Sequence, residues 1–356
     1  MSKPRVIAFY LPQYHPTPNN NVWWGKGFTE WTNVGRAKSL FPGHHQPNVP
    51  GELGYYDLRI PDVREQQARM AKDAGVEGFC YYHYWFEYGK EELDLPFKEV
   101  LASGHPDFPF CICWANQSWE NKIWSKDGSV VSSKILCEQK YPGPEDNEKH
   151  FYSLLPAFKD KRYMTVEGHP IFMVYQPMIF IGMSDFIRQW NDLAIKNGLK
   201  EFFFIGQCGV ESEIEPIMKF GFNAVNYSRL FPSYKTSLIQ KLWRRCFNVP
   251  RVIKYRDIMP YFNSNRYKEE NIYPVIIPSW DHTPRSGTRG LVYQGACPKL
   301  FKKHVLQIME ITKYKKNNII FLKSWNEWGE GNYMEPDLRF GRGFINALNE
   351  ALEKYK

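Results

Sequence analysis

Short apolar runs recur along the chain, and most are followed by a stretch with apolar residues at helical spacing. Eight of these runs are predicted to be strands: 5–10, 75–82, 108–114, 170–175, 201–206, 222–227, 273–279 and 318–323. Strands buried on both faces of a parallel sheet appear as continuous apolar runs rather than as alternating ones. Eight of them separated by helices predict an α/β fold, a single (β/α)8 TIM barrel that spans residues 1–356 as one catalytic domain. An open doubly wound sheet is the alternative, but no run leads into a G-x-G-x-x-G phosphate loop.

Two segments are too long to be simple connections. The loop after the first run contains many Gly, Pro and aromatic residues, which predicts a lid or a subsite wall. The second is a helical insertion between the sixth and seventh runs, at about 229–272. Between 235 and 256 it contains seven Lys and Arg and no acid, nearly the whole formal net charge of +8. It is either a solvated helical face or a contact surface for an anionic glycan, a lipid-linked substrate or a membrane.

Composition narrows the function classes. With 43% hydrophobic and 24% charged residues and no apolar run of about eighteen, a membrane-spanning protein is a poor interpretation. The apolar stretch near the N-terminus is too short for a signal peptide, so we expect a cytoplasmic protein. No nucleic-acid-binding motif accompanies the basic insertion. Seven cysteines lack a metal-like spacing apart from Cys111 and Cys113, which no His or second Cys pair accompanies, so we expect no metal and no cofactor.

The residues that follow barrel strands are the candidates for chemistry, because active sites lie at the carboxyl ends of the strands. Aromatic residues make up 17% of the chain, and rings beside carboxylates and amides are how proteins hold sugars. The candidate substrate-binding residues are Tyr10, Tyr14, His15, Glu30, Trp31, Tyr81, His83, Trp85, Trp114, Asn116, Gln117, Trp280, Asp281, Arg285, Trp325, Asn326 and Trp328.

Several of these candidates have a structural alternative. Tyr81, His83 and Trp85 alternate along the end of the second strand, so they line the pocket from one side or pack in the core. Asp281 and Arg285 contact sugar or pair with each other as loop scaffolding. Glu30 binds a hydroxyl or holds the long loop.

The stretch "SWNEWGEGNYMEP" after the eighth run supplies the candidate catalytic pair, Glu327 and Glu330. Two carboxylates in an aromatic cleft are the minimal apparatus for cleaving a glycosidic bond. At a spacing of three, their Cβ atoms would be roughly 5–6 Å apart in a helix-like turn, and their charges would push one pKa up. Such a pair is too close to attack a sugar from two sides, which favours participation of the substrate's own 2-hydroxyl. Glu335 is expected to pin its loop.

Motifs at most strand ends resemble a known family. "FYLPQYHP", "WWGKGFTEWTNV", "EGFCYYHYWF", "LDLPF", "FPFCICWAN", "WDHTPR" and "SWNEWGEGNYMEP" resemble the WbsX-type proteins, which are similar to glycoside hydrolase family 99. The resemblance implies a (β/α)8 barrel, retaining endo-α-mannosidase activity and a 1,2-anhydro sugar intermediate. It also implies that Glu327 assists the 2-hydroxyl and that Glu330 is the acid/base for the leaving group. After "WAN" the WbsX-type branch usually has Glu, whereas this chain has Gln117, which leaves the substrate details open.

Three functions follow as hypotheses. The first is a retaining glycoside hydrolase that cleaves an α-linked, mannose-like bond within a polysaccharide. The second is a glycosyltransferase-like protein of bacterial O-antigen or capsule biosynthesis, as the WbsX-type branch is described. The third is a non-catalytic carbohydrate-binding barrel, for which Gln117 is the hint.

Overall fold

The structure is a computed structural model that describes residues 4–124, 130–236 and 238–355. The chain divides into two compact units. Unit 1 combines residues 1–77 with 229–356, and unit 2 comprises residues 78–228. Whether they behave as the single catalytic domain expected from the sequence stays a prediction.

Unit 1 is built on parallel strands from both ends of its sequence. Arg5–Tyr10 pairs with Ile319–Leu322, with Arg5 opposite Ile319, and Val275–Ile276 pairs with the other side of Ile319–Leu322. The unit also contains the strand Ile272–Tyr273 and two small sheets, the parallel pair Arg251–Lys254 and Leu291–Gln294 and the antiparallel pair Asn326–Glu327 and Asn332–Tyr333. Its α-helices are Pro18–Trp24, Glu30–Gly35, Pro61–Ala74, Leu238–Phe247, Tyr255–Ile258, Thr283–Ser286, Pro298–Thr312 and Gly343–Glu353. Its 3-10 helices are Met259–Phe262, Asn265–Lys268, Gly287–Arg289 and Trp328–Glu330.

Unit 2 contains a run of parallel strands in sequence order: Gly78–Glu87, Phe110–Trp114, His169–Val174, Phe203–Cys208 and Ala224–Tyr227. Its helices are Leu95–Ser103, Pro144–Phe158, Met183–Lys196 and Ile214–Lys219, with 3-10 turns at Pro177–Ile179 and Glu211–Glu213. Short strands add to the edges at Lys90–Glu92 and Thr165–Val166, and Trp119–Trp124 pairs antiparallel with Val130–Cys137. Phe158, Phe172, Trp190 and Phe202 make mutual ring contacts between the strands and the helices of this unit.

Every one of the eight predicted strands is present, and helices separate them in the order expected. The predicted fold class, an α/β barrel, is therefore confirmed, as are the long segment after the first strand and the helical insertion after the sixth. Within the described residues no helix is both long and apolar enough to cross a membrane. Cys111 and Cys113 are buried free thiols, and no cluster of His, Cys, Asp and Glu in the described part of the chain could hold a metal ion.

Candidate active site

The two predicted catalytic acids lie in a tight hairpin that follows the strand Ile319–Leu322 in unit 1. Glu327 ends the short strand Asn326–Glu327, the 3-10 turn Trp328–Glu330 reverses the chain, and Asn332–Tyr333 returns antiparallel. Gly331 at the end of the turn has φ +57°, the left-handed region that glycine occupies at least cost. The hairpin brings the two carboxyl groups close enough for each to shift the pKa of the other.

Glu327 is the protonated member of this pair near neutral pH. Its side chain is almost fully buried, and burial together with the charge of Glu330 raises its pKa to about 7. Lys323 opposes the shift, with its Nζ 3.2 Å from a carboxylate oxygen of Glu327. A proton donor with a pKa near the working pH is what general acid–base chemistry requires.

Glu330 is the ionised member. Burial pushes its pKa up, but the charges of Arg285 and Lys323 and the hydrogen bond from Glu327 outweigh burial, so its pKa lies below the ordinary value. Arg285 donates from Nη1 to a carboxylate oxygen of Glu330. His282 lies nearby, with its Nε2 3.9 Å from the same oxygen. Burial and Arg285 lower the pKa of His282 to about 4, so this ring is neutral beside the ion pair.

Arg285 also binds a third carboxylate. Its Nε lies 2.9 Å from an oxygen of Glu30, which is buried at the start of the helix Glu30–Gly35. The cluster Glu30, Arg285, Lys323, Glu327 and Glu330 thus holds three carboxyl groups and two cations, and one proton makes it neutral. In a buried site this charge balance favours keeping that proton.

Gly329 has a steric reason to be glycine. A Cβ atom there would lie 1.7 Å from a carboxylate oxygen of Glu30 and 3.1 Å from Nε of Arg285. The Glu30–Arg285 ion pair therefore packs directly on the backbone between Glu327 and Glu330. The glycine permits this close approach of the charged groups.

Tyr14 and Asn326 hold the backbone of the turn. The Tyr14 hydroxyl donates to the carbonyl oxygen of Asn326 and accepts a hydrogen bond from the Trp328 backbone N–H at 3.1 Å. The Asn326 side chain pairs with the backbone of Leu11, accepting at 2.8 Å and donating at 3.0 Å. Both polar groups have partners within the fold that hold the turn beside Glu327, and their contact with a substrate stays a prediction.

Glu335 is the centre of a second buried network behind the turn. Its carboxylate accepts hydrogen bonds from Trp328 Nε1 at 2.6 Å, Gln67 Nε2 at 2.6 Å and the Tyr56 hydroxyl at 2.9 Å. Tyr10, a predicted substrate contact, donates instead to Gln67 at 2.7 Å. Burial raises the pKa of Glu335 to about 7 against these donors. The contacts give Glu335 the loop-pinning role expected from the sequence.

Asp281 ties the long first loop to the seventh strand. Its carboxylate accepts from Gln46 at 2.7 Å and from Thr283 Oγ1 at 2.6 Å, and it lies 2.8 Å from His44 Nε2. Burial opposes ionisation, but these hydrogen bonds hold the pKa of Asp281 below its ordinary value. The scaffolding pair that the sequence suggested between Asp281 and Arg285 is wrong, because Arg285 pairs with Glu30 and Glu330.

The remaining unit 1 candidates are mostly packed. Trp31 is half-buried against Tyr14 and Trp328, and its Nε1 donates to the Tyr56 carbonyl at 2.7 Å. Trp280 and Trp325 are buried, as is His15, whose ring lies 3.0 Å from the Pro12 carbonyl oxygen. Trp280 stacks on His282 at 5.7 Å between ring centroids. Trp31 contacts Trp328, which lies between Glu327 and Glu330 in the sequence. Trp280 contacts His282, whose Nε2 lies 3.9 Å from a carboxylate oxygen of Glu330.

The candidates on the second strand belong to the core of unit 2. Tyr81 packs on Phe97 of the helix Leu95–Ser103 at 5.2 Å between centroids. Trp85 stacks on His150 of the helix Pro144–Phe158 at 4.7 Å, and His83 Nε2 lies 2.9 Å from His150 Nε2. Burial lowers the pKa of His83 to about 3, so the ring is neutral. These side chains pack against helices of unit 2, and Tyr81 and His83 also line a small cavity there. Contact of the three with a sugar stays a prediction.

The candidates at the end of the third strand, Phe110–Trp114, also pack within unit 2. Trp114 is buried, packs on Phe186, and donates from Nε1 to the Trp85 carbonyl at 2.9 Å. The Asn116 amide donates to the Gln176 carbonyl at 2.9 Å and accepts from the Gln176 N–H at 2.8 Å. Both side chains have partners within unit 2, and their contact with a substrate stays a prediction. Gln117 is half-buried, and its role stays a prediction.

Sequence reasoning missed Lys323 and His282 as parts of the site. Lys323 directly follows the strand Ile319–Leu322, and His282 follows the seventh-strand segment, so the rule that selected the other candidates applies to both. Nothing else in the sequence marks Lys323 or His282 as a member of the site. The partnership of Arg285 with Glu30, 255 residues away in the sequence, has no local signature.

A family model described as "Glycosyltransferase WbsX" matches residues 6–348. The uncharacterized protein WxcX of Xanthomonas campestris pv. campestris is 33% identical over 356 residues, which is 98% of this chain and 50% of that protein. The chain thus spans about half the length of the curated relatives it matches. It is also similar in fold to a GH99 endo-alpha-mannosidase from Bacteroides thetaiotaomicron, with a TM-score of 0.57, 15% identity and coverage of 99% and 97%.

A second solved structure, described as a glycoside hydrolase-like protein, matches with a TM-score of 0.61 and 14% identity, covering 99% of this chain and 94% of that one. At these identities the two structures show the fold alone, which is the barrel of family 99. The family model covers nearly the whole chain, and the motifs it spans include the carboxylate hairpin. The chain therefore belongs to the WbsX glycosyltransferase family of glycan-active enzymes.

Proposed function

We propose that the chain is a retaining glycoside hydrolase of the family 99 type, acting on an α-linked, mannose-like bond of a polysaccharide. The observation that carries the proposal is the buried Glu327–Glu330 pair, in which the pKa of Glu327 is raised to about 7 and the pKa of Glu330 is lowered. The similar fold of an endo-alpha-mannosidase supports the sugar and the linkage. The proximity of the two acids supports participation of the sugar's 2-hydroxyl, because there is no room for attack from opposite sides.

The resting charges reverse the roles that the family resemblance assigns. By the resemblance, Glu327 is the base and Glu330 the acid, whereas the resting proton is on Glu327. One proton transfer from Glu327 to Glu330 prepares both roles at once. Lys323, 3.2 Å from Glu327, stabilises the carboxylate that this transfer creates.

The reaction then balances in two steps. In the first, Glu327 takes the proton of the 2-hydroxyl, the oxygen attacks C1, the glycosidic bond breaks, and Glu330 gives its proton to the leaving oxygen. The product is a 1,2-anhydro sugar. In the second step Glu330 takes a proton from water as the water oxygen attacks C1, and Glu327 returns a proton to the sugar 2-oxygen. After the second step Glu327 is again ionised and Glu330 is again protonated, as they were before the first step.

Leaving-group dependence tests the roles. Glu330→Gln is expected to lose activity on natural glycans. On aryl glycosides with a good leaving group it is expected to keep the first step, measured as the initial release of the aryl group, because that step needs little protonation. Glu327→Gln is expected to lose both activities. An analogue without the 2-hydroxyl is expected to resist the wild-type enzyme. Cleavage of that 2-deoxy analogue at a comparable rate would contradict the mechanism.

Transfer is the second candidate function, and the description of the matched family favours it. The same pair would serve a transferase if a sugar hydroxyl, rather than water, opens the intermediate. Analysis of the products formed with and without added glycan acceptors separates the two. Longer chains as the main product would establish transfer, and shorter chains would establish hydrolysis.

A further inference from the structure

The basic insertion of unit 1 contains a small cavity of about 260 Å³ that the proposed chemistry does not use. The short strand Arg251–Lys254 forms part of its wall, and the helix Leu238–Phe247 contributes Arg244. Three cationic side chains therefore line one cavity, those of Arg244, Arg251 and Lys254. Catalytic acids are not among its lining residues.

The cations in this cavity have few polar partners among the described residues, one of which is the Tyr234 carbonyl oxygen, 2.9 Å from Arg251 Nη2. Among the lining residues described, the one carboxylate is Asp257, and it lies 3.4 Å from Nε of the neighbouring Arg256. The Nε atoms of Arg244 and Arg251 are buried and have no hydrogen-bond partner among the described residues. Burial and the nearby charge of Arg251 lower the pKa of Arg244. Placing like charges together and burying N–H donors without acceptors both cost free energy, and a bound anion would offset both costs.

A larger cavity of about 470 Å³ adjoins this one, and Lys254 and Gln294 line both. Its wall combines rings, such as Trp280 and Tyr293, with polar groups such as Asn48. Rings beside polar side chains suit a sugar. Neither Glu327 nor Glu330 lines this cavity, so a group bound there is distinct from the sugar that reacts.

We propose that the cavity lined by Arg244, Arg251 and Lys254 binds a phosphoryl group carried by the glycan substrate, with an attached sugar in the adjoining larger cavity. Three cations and two unsatisfied N–H donors match the several oxygens and the two negative charges of a phosphoryl group better than a single carboxylate. Binding of the phosphoryl group follows from this cavity alone, and its attachment to a glycan rests on the proposed function.

Calorimetry with inorganic pyrophosphate on the full chain tests the cavity. Wild-type protein is expected to bind it, and Arg244→Gln and Arg251→Gln are each expected to weaken binding by at least about tenfold, the scale of a charge-assisted hydrogen bond. Lys303→Gln removes an exposed cation of the same unit that lines neither cavity and is expected to bind as wild type. Arg251→Lys, which keeps the charge, is expected to lie in between.

The contradicting results are equally specific. Undetectable pyrophosphate binding, or an equal loss in Lys303→Gln, would overturn the site. Glucuronate binding as tightly as pyrophosphate would overturn the phosphoryl assignment. Mannose 1-phosphate is expected to bind more tightly than inorganic phosphate, and equal affinities would overturn the attached sugar. Glu330→Gln is expected to bind pyrophosphate as wild type, so a failure of the catalytic proposal leaves this measurement unchanged.

Discussion

Two strand ends look alike in the sequence and differ in the structure. "YHYWF" ends the strand Gly78–Glu87 in unit 2, and "SWNEWGE" follows the strand Ile319–Leu322 in unit 1; both mix rings with polar groups. His83 is neutral and paired with His150 against a helix, whereas Glu327 and Glu330 share a proton beside two cations. The difference teaches that a polar residue at a strand end is a candidate for catalysis when its neighbours leave it charged or able to exchange a proton. A polar residue that is neutral and fully paired in the core is not.

The largest expected effect is on the acid pair itself. Glu327→Gln and Glu330→Gln each remove one partner of the shared proton, so turnover of a natural glycan is expected to fall by about 10²–10⁴-fold. Steady-state kinetics measure it. Comparable thermal unfolding of the variants and the wild type is the control for folding. Retained turnover in both variants would show that the strand end with Glu327 and Glu330 does not carry the chemistry.

Arg285 is expected to have the next largest effect. Arg285→Gln removes the charge that keeps the pKa of Glu330 low, so that pKa is expected to rise and the acidic limb of the pH–rate profile to shift upward. Turnover is expected to fall by roughly 10²-fold. Arg285→Lys restores charge without the two-sided fork and is expected to recover the pH profile in part. An unshifted profile in Arg285→Gln would contradict the role of this ion pair.

Gly329→Ala tests the close packing of Glu30 on the turn. The added methyl group overlaps the Glu30 carboxylate, so that carboxylate and Arg285 must move. We expect a loss of about 1–3 kcal/mol in the free energy of unfolding, together with a fall in kcat. Gly35→Ala, where a Cβ meets nothing within 4 Å, is the matched control in the same unit. Equal effects of the two substitutions would contradict the steric account.

Trp85→Phe tests the opposite strand end. The variant loses the hydrogen bond from Nε1 to Asp146, which measures 3.2 Å, and we expect about 1–2 kcal/mol of lost stability. The values of kcat and KM are expected to stay within about twofold of wild type, because Trp85 packs on a helix. An increase in KM without a loss of stability would instead support contact between this residue and the sugar.

The smallest expected effect is a pH dependence of stability due to Glu335. Its pKa is about 7 in the folded chain, above the ordinary value of 4.5, so its contribution is complete below about pH 4.5 and declines as pH rises toward 7. Relative to wild type, Glu335→Gln is therefore expected to gain stability as pH rises through that window. Chemical denaturation at several pH values measures the difference. A constant difference would indicate an ordinary pKa for Glu335.

Much of the fold could be predicted from the sequence because buried parallel strands are continuous apolar runs. The order of strands and helices and the location of Glu327 and Glu330 follow from that pattern. The direction in which each side chain points does not follow from that pattern. On the second strand Tyr81 packs on a helix residue, while its neighbour Tyr82 contacts Tyr175 after the fourth strand, and alternation alone does not say which set faces a pocket.

Long-range partners were equally hidden. Arg285 binds Glu30 from the other end of the chain, and Asp281 binds His44 and Gln46 in the long first loop. Each pairing depends on how loops from separate strands meet, a property of the tertiary structure with no periodic signature. The electrostatics that sort the acids into one protonated and one ionised group depend on those same contacts.

The most direct test of the central claim is carbon-13 NMR of glutamate carboxyl groups over a pH titration of the wild type and Glu330→Gln. The account predicts that Glu327 titrates near pH 7 in the wild type, because burial and the charge of Glu330 raise its pKa. In Glu330→Gln, loss of that charge is expected to lower the Glu327 pKa. A Glu327 that is already ionised at pH 5 in the wild type, or that titrates identically in both proteins, would contradict the shared proton.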